Sequence, residues 1–526
     1  MANRGWEREP TLVAQIAACV SVAAFLYCLR NNQILLYGDA VAHINIARRI
    51  FDSRTPGLLQ LGTVWLPLPH LLMAPFLVWD WLWQTGIGGS IPSLFAFVAG
   101  AVGIFRLVRG QDKALTTRIA AWIAVGIFVA NPNLIYLQST AMTEPLYLAF
   151  FIWTVVFFSE FIRGERKALL KCGWCLAAAS LTRYDGWFLV AVTSLAVLLT
   201  FRNRASAKTL FKFLLLAALG PALWLAYNAA VYKNPLEFAN GPYSAKAIEQ
   251  RTTPPGSPPH PGAGDLKMAA DYFVKAAEIN LGESNWHRLW IALAAAGSVL
   301  LLVFERQRWP LLLLWVPLVF YALSIGYAGV PIFLPPWWPH SIYNARYGIE
   351  LLPAVAVLTA MAAMVALQRF EKSRERIAIV VIVIASVAVS YASVWRAHPI
   401  SFREGWVNSR TRIALETAMA KNLTRLPANA TFLMYLGDHV GALQQAGIPL
   451  QRTINEGNHR TWKQPADPEG LWEKALHNPA GYADFVVAME GDAVSQGVNR
   501  QSLESIVVIH VQGQPQATIY KTKKSQ

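Results

Sequence analysis

The run LPLPHLLMAPFLVWDWLW, Leu66 to Trp83, decides how this chain is threaded. It is long enough to cross a bilayer, since a hydrocarbon core of roughly 30 Å needs about 20 mostly apolar residues. It is also badly suited to crossing. Pro67, Pro69 and Pro75 each remove an amide donor, and His70 and Asp80 are costly at the centre of a membrane. A crossing here would also put the basic loop Arg106–Arg118 outside. Short loops rich in Lys and Arg stay in the cytoplasm. Closely spaced Pro, Trp and Phe suit a segment lying in the interface. We read it as interfacial or re-entrant, in the outer leaflet.

The rest of the threading follows. The chain has 526 residues, 55% hydrophobic and 15% charged, where a soluble globule carries roughly 25% charged residues. It is therefore read as a multi-pass α-helical membrane protein. Apolar windows near 11–29, 90–108, 117–133, 145–162, 170–182, 186–201, 209–230, 288–304, 309–329, 349–368 and 377–395 give about eleven spans. The first has no small-residue cleavage site after it and reads as a retained signal anchor.

The formal charge of +15 raises the question of nucleic acid, and its distribution answers it. Most of the excess sits in short loops: Arg106, Arg109, Lys113 and Arg118; Arg163, Arg166, Lys167 and Lys171; Arg202, Arg204, Lys208 and Lys212; Arg306 and Arg308; Arg369, Lys372, Arg374 and Arg376. The surplus is a topology signal, and no nucleic-acid partner is assigned. The outer face then receives residues 37–83, 131–145, 182–186, 232–287 and 331–350. Within them RTTPPGSPPHPGAG, Arg251–Gly264, is expected to be mobile, since it cannot bury a core. The four cysteines lie in apolar segments, so the Cys172/Cys175 CxxC is read as packing rather than redox chemistry.

After Trp395 the polarity becomes ordinary. TFLMYLG, ADFVVAM and LESIVVIHV read as strands and SRTRIALETAMAKNL, Ser409–Leu423, as an amphipathic helix. Two domains are expected: a membrane domain over 1–395, with interfacial helices in the first outer loop (37–89), and a small extracytoplasmic α/β domain over 396–526.

Ionisable residues are nearly absent from the middles of the spans and gather at their outer ends. In LLYGDAVAHINIARRIFDS, Asp39 and His43 stand four apart, on one helix face; the alternative for Asp39 is a cap on a helix starting at Ala40. His70 follows in the interfacial run. In STAMTEPLY, Glu144 and Pro145 open a span behind Thr143, types that an N-cap and a first helical turn favour on their own. In LTRYDGW, Arg183 and Asp185 can pair across the turn. PPWWPHSIYNARYGIELLP holds His340, Arg346 and Glu350, with Tyr343, Asn344 and Tyr347 flanking the arginine. A guanidinium fork there suits phosphate; its plain alternative is snorkelling to headgroups. No histidine pair has zinc-site spacing. Ion-coupled transport would place carboxylates at mid-bilayer, and these are missing.

The segments GDAVAH, GTVWLPLPHLL, MTEPLYL, LTRYDGW and NARYGIELLPA, in that order, resemble the GT-C superfamily of polyprenyl-phosphate-sugar glycosyltransferases. The similarity extends over residues 1–395. It is to the branch of protein O-mannosyltransferases and lipid A aminoarabinose transferases. The resemblance implies a GT-C-like fold, a polyprenyl-phosphate sugar donor, and catalysis by the first-loop acid, which is Asp39. Many relatives carry two adjacent acids there; here Ala40 follows Asp39, which leaves Glu144 or His43 to assist. The WWDYG signature of oligosaccharyltransferases is absent, PPWWPH being different, so whole-oligosaccharide transfer is disfavoured.

The expected function is transfer of one sugar to an acceptor hydroxyl of protein, lipid or glycan, with inversion, in a bacterial-type inner membrane. Asp39 acts as general base with Glu144 as the second catalytic candidate. His43, His70, Arg183, Asp185, Tyr343, Asn344 and Arg346 are the expected substrate-binding set. Glu144 and Asp185 orient hydroxyls or hold a divalent cation; no metal is assigned. The rival readings are a lipid or sugar transporter, and a non-catalytic protein that binds the envelope.

Overall fold

The structure, a computed structural model, describes residues 8–201, 204–252, 256–283, 286–458 and 470–523. It is mainly helical, and each apolar window named above coincides with a helix. Seven helical stretches are long and apolar enough to cross a membrane: Glu9–Arg30, Ile87–Arg109, Glu144–Ile162, Ala207–Tyr232, Arg306–Tyr327, Ala345–Arg369 and Ser373–Leu423. The windows near 117–133, 170–182, 186–201 and 288–304 form shorter apolar helices. The protein is an integral membrane protein.

The chain divides into two compact units. The first comprises Met1–Asn31, Pro92–Trp224 and Ala239–Glu404; the second comprises Asn32–Ile91, Leu225–Phe238 and Gly405–Gln526.

At the centre of the first unit is the helix Leu352–Arg369, whose residues are almost all buried. Small side chains allow that. Ala354, Ala356, Ala360 and Ala363 line it, and Gly297 of helix Trp286–Phe304 comes so close that a Cβ there would lie 2.0 Å from the Leu358 carbonyl oxygen. Lipid supplies little hydrophobic drive between helices, so close backbone approach of this kind holds them together.

In the Pro/Gly-rich run Arg251–Gly264, residues 253–255 lie outside the described residues, and hydrogen bonds tie the segment down from His260 onward. His260 is buried, its Nε2 lies 3.0 Å from the Ile332 carbonyl, and the Gly262 N–H donates to its Nδ1 at 3.0 Å. The Gly264 N–H donates to Gly326 O at 2.9 Å. One buried imidazole with both nitrogens engaged provides an anchor that composition does not reveal.

The second unit joins the first-loop segment to the terminal domain. Its sheet contains β1 (Phe432–Met434), β2 (Thr453–Ile454), β3 (Phe485–Met489), β4 (Leu503–Ile509) and β5 (Ala517–Thr522), in the order β2-β1-β3-β5-β4. β1 pairs parallel with β2 and β3, while β5 pairs antiparallel with β3 and β4. All five residues of the central β3 are buried, whereas the edge strand β4 is largely exposed, as expected when both faces of an inner strand are covered.

The first-loop segment is tied on by polar contacts. The Gln451 N–H donates to Asp52 Oδ1 at 2.9 Å, Asn45 donates to Gln444 Oε1 at 2.7 Å, and Arg412 donates to the Leu35 and Leu36 carbonyls at 3.1 and 3.0 Å. The Leu66–Trp83 run forms no continuous helix. Its prolines break it into Pro67–Met73, the 3₁₀ turn Ala74–Val78 and Asp80–Gln84.

Candidate functional site

The first unit gathers four of the expected site residues, Glu144, Arg183, Asp185 and Arg346, into one buried cluster, and sets Thr143, Tyr321, Tyr347, Glu350 and Glu404 around them. Glu144 opens helix Glu144–Ile162, Arg183 occupies the turn before helix Asp185–Thr200, and Arg346 lies on the 3₁₀ turn Ala345–Leu351. Glu144 and Glu350 are fully buried, and Asp185, Arg346 and Glu404 nearly so.

Arg183 is the hub. Its Nε donates to Asp185 Oδ2 at 3.0 Å, and its Nη1 to Glu144 Oε1 at 3.3 Å and Thr143 Oγ1 at 3.2 Å. Its Nη2 donates to the Tyr321 hydroxyl at 2.8 Å and lies 3.3 Å from Glu350 Oε1. The Tyr321 hydroxyl donates to Glu350 Oε1 at 2.7 Å. Burial alone would loosen the guanidinium's proton, but Asp185, Tyr321, Glu350 and Glu144 more than offset it and hold its pKa above the ordinary arginine value.

Arg346 is bound just as firmly. Its Nε donates to Glu144 Oε1 at 3.0 Å, its Nη1 to Glu404, and its backbone N–H to Glu404 Oε2 at 3.1 Å. The Asn344 N–H donates to the other Glu404 oxygen at 3.1 Å. Asn344 reaches that position in the left-handed region, φ 55°, which asparagine tolerates. The Tyr347 ring is close to both guanidiniums, 4.8 Å from Arg183 and 4.9 Å from Arg346. Gly348 allows the turn to seat, because a Cβ there would lie 2.4 Å from the Ala276 carbonyl oxygen.

Two arginines thus face four carboxyl groups, with one oxygen each of Glu144 and Glu350 buried without a hydrogen-bond partner. The acids outnumber the guanidiniums, and most of the N–H groups that Arg183 and Arg346 donate in this cluster go to carboxylates. Thr143 is the N-cap residue by position, yet its side chain makes no cap bond and instead accepts from Arg183. The cap reading of Thr143 is corrected accordingly.

Other expected residues stand apart from this cluster. The Tyr343 side chain is exposed, and its backbone pairs with that of Phe333 in an isolated antiparallel bridge. The Asn344 side chain donates to Pro331 O at 3.0 Å. His340 is exposed.

Asp39, His43 and His70 belong to the second unit. Helix Gly38–Arg49 starts at Gly38 with Tyr37 as its N-cap and no side-chain cap bond, so Asp39 sits inside the first turn and the capping alternative falls away. Asp39 is half-buried. His43 and His70 are buried, with His43 Nδ1 2.9 Å from His70 Nε2 and the Trp65 ring 4.7 Å from His43. Burial, then the neighbouring His43 and Arg49, push the His70 pKa well below the ordinary histidine value.

The folded chain therefore refuses a proton that the unfolded chain takes up. His70's contribution is fully present above about pH 6.5 and is lost as the pH falls toward its lower folded pKa. His70→Gln, which cannot titrate, should flatten the fall in melting temperature between about pH 6.5 and 5. An unchanged slope in the variant would show that His70 does not carry it.

Sequence reading missed two features here. Arg48 pairs with Asp52 and Asp80, both at 2.7 Å, and stacks 4.8 Å from the Trp83 ring; the 48/52 spacing on a helix was the available signal. Glu404, in SFREGW, has no local signal at all. Among the described residues no three His, Cys, Asp or Glu side chains are grouped to hold a metal ion.

No protein-family profile matches the chain, and no curated protein matches its sequence. Solved structures do. The crystal structure of ArnT from Cupriavidus metallidurans bound to undecaprenyl phosphate aligns at 13% identity over 98% of this chain and 98% of that one, TM-score 0.57. The apo form of the same protein aligns at 13% over 99% and 98%, TM-score 0.58. The Archaeoglobus fulgidus oligosaccharyltransferase aligns at 13% over 92% of this chain and 70% of that one, TM-score 0.49. Over essentially its whole length the chain has the fold of ArnT, the GT-C fold that its loop and span-start segments resemble.

Proposed function

We propose that the protein is a membrane glycosyltransferase that moves a single sugar from a polyprenyl-phosphate donor to an acceptor hydroxyl on the extracytoplasmic face. The observation that carries this reading is the buried Glu144–Arg183–Asp185–Arg346 cluster in a chain with the ArnT fold. A lipid carrier accounts for ionisable groups at the ends of apolar helices: the tail stays in the bilayer while the sugar reaches water.

In the proposed step the acceptor oxygen forms a bond to the anomeric carbon as the bond from that carbon to phosphate breaks. The bonding pair leaves with the phosphate, and configuration inverts. Asp39 takes the acceptor proton, a role worth roughly 10²–10⁴ in rate. Arg183 and Arg346 balance the charge on the leaving phosphate, which takes N–H groups now given to carboxylates. Glu144 and Asp185 orient sugar or acceptor hydroxyls, or hold a divalent cation. The terminal segment 396–526 is proposed as an extracytoplasmic domain that selects the acceptor, and the host membrane as a bacterial-type inner membrane.

Purified protein supplied with a panel of radiolabelled polyprenyl-phosphate sugars should release free polyprenyl phosphate and label an acceptor. Vectorial movement of the labelled lipid with no transfer from any donor would instead identify a transporter.

A further inference from the structure

A concavity lies in the first unit, at the far end of helix Glu144–Ile162 from Glu144. That helix has 19 residues, so the two ends are about 28 Å apart. The concavity measures about 690 Å³ and is lined by Arg106, Arg109, Arg163, Lys167 and Lys171 against three acids, Glu9, Glu160 and Glu165.

Two of those acids are already spent. Glu160 pairs with Arg106 through both oxygens, at 2.6 and 3.0 Å. Glu9 bridges Arg118 at 2.5 Å and Arg109 at 3.9 Å. Arg163, Lys167 and Lys171 form no ion pair among the described residues, and the acids sharing the lining with them are Glu165 and the already paired Glu160 and Glu9. Partial desolvation, then the like charge of Arg308, lowers the Arg163 pKa against the attraction of Glu160. These three exposed cations share one lining and form no ion pair of their own, an arrangement that an anion relieves.

The surroundings indicate what brings the anion. Trp174, one turn beyond Lys171 on helix Ala168–Ser180, is 59% exposed, as aromatic residues are at membrane interfaces. The Lys171 ammonium lies 5.5 Å from the centre of the Phe157 ring, within reach of the ring's face. A flat basic loop needs only the general attraction to an anionic leaflet. Here the cations line a hollow large enough for a headgroup, with Phe105 and Pro10 as its apolar walls.

We propose that this hollow binds the phosphate-bearing headgroup of an anionic membrane lipid. The inference does not depend on the transferase reading. Full-length protein purified in detergent would be offered phosphatidylglycerol and phosphatidylcholine together, and the retained lipid counted by native mass spectrometry. The wild type should retain phosphatidylglycerol preferentially. The triple variant Arg163→Gln, Lys167→Gln, Lys171→Gln should weaken that preference at least about tenfold, with its melting temperature and sugar transfer in detergent unchanged.

If the triple variant fails to fold, exposed Lys167→Gln alone should move the preference in the same direction by a smaller factor. Equal retention of both lipids by the wild type overturns the proposal, as does an equal preference in wild type and variant. Saturable binding of inorganic phosphate without any lipid preference overturns it too, and identifies a free anion as the ligand.

Discussion

Asp39→Asn is expected to leave a correctly folded membrane protein whose transfer rate is lower by roughly 10²–10⁴. The substitution keeps shape and removes the proton acceptor. It costs the fold little, because Asn matches Asp in shape and Asp39 is not the N-cap of helix Gly38–Arg49. The loss of a negative charge in a first turn is worth about 0.3–1 kcal/mol. Expression level and size-exclusion profile report the fold; release of polyprenyl phosphate from labelled donor reports the chemistry. Full activity in a normally folded variant would remove Asp39 from the mechanism. His43→Phe tests the neighbouring assistant, and a smaller loss there than at Asp39 is expected.

Arg346→Ala has the largest expected effect on stability. The guanidinium is the shared partner of Glu144 and Glu404, which are 0% and 1% exposed. Its removal strips Glu404 of its only guanidinium partner in the cluster and leaves Glu144 to Arg183 alone, at a cost of about 3–5 kcal/mol. Denaturant or thermal unfolding in detergent measures this. Arg346→Ala combined with Glu404→Gln should recover part of the loss, because the stranded charge is then gone. A melting temperature equal to wild type in the single variant would show that the pairs contribute nothing. Activity separates a second role: Arg346→Lys retains charge but loses the planar fork. If Arg346 also meets the donor phosphate, this variant should show a raised KM with a smaller change in kcat.

The helices were legible because membrane spans announce themselves by length and composition. Every apolar window named in the sequence became a helix. The prolines of Leu66–Trp83 likewise announced a broken segment. Glu144, Arg183, Asp185 and Arg346 were legible for a different reason. Charged residues are rare near apolar spans, so each stands out against its background.

What could not be read was partnership. Glu404 lies in a polar stretch where an acid is unremarkable by itself, and only the fold brings it against the Arg346 and Asn344 amides. Tyr321 is one aromatic among many in an apolar helix, and its hydroxyl acquires meaning only beside Asp185 and Glu350. His260 was hidden in the same way, within a run whose composition suggested looseness.

The burial of stretch Ala345–Arg369 has a mechanical consequence. Eighty-nine per cent of its apolar window is enclosed by protein, against 28% for Glu9–Arg30. A bilayer that thins or thickens acts on whatever it touches, tilting or straining helices by fractions of a kcal/mol per ångström of mismatch. The outer helix feels that force directly. The central one has almost no acyl chains beside it, so its depth is fixed by neighbouring side chains rather than by the thickness of the membrane. Arg346 and Glu350, carried on its first turns, are thereby insulated from changes in lipid composition.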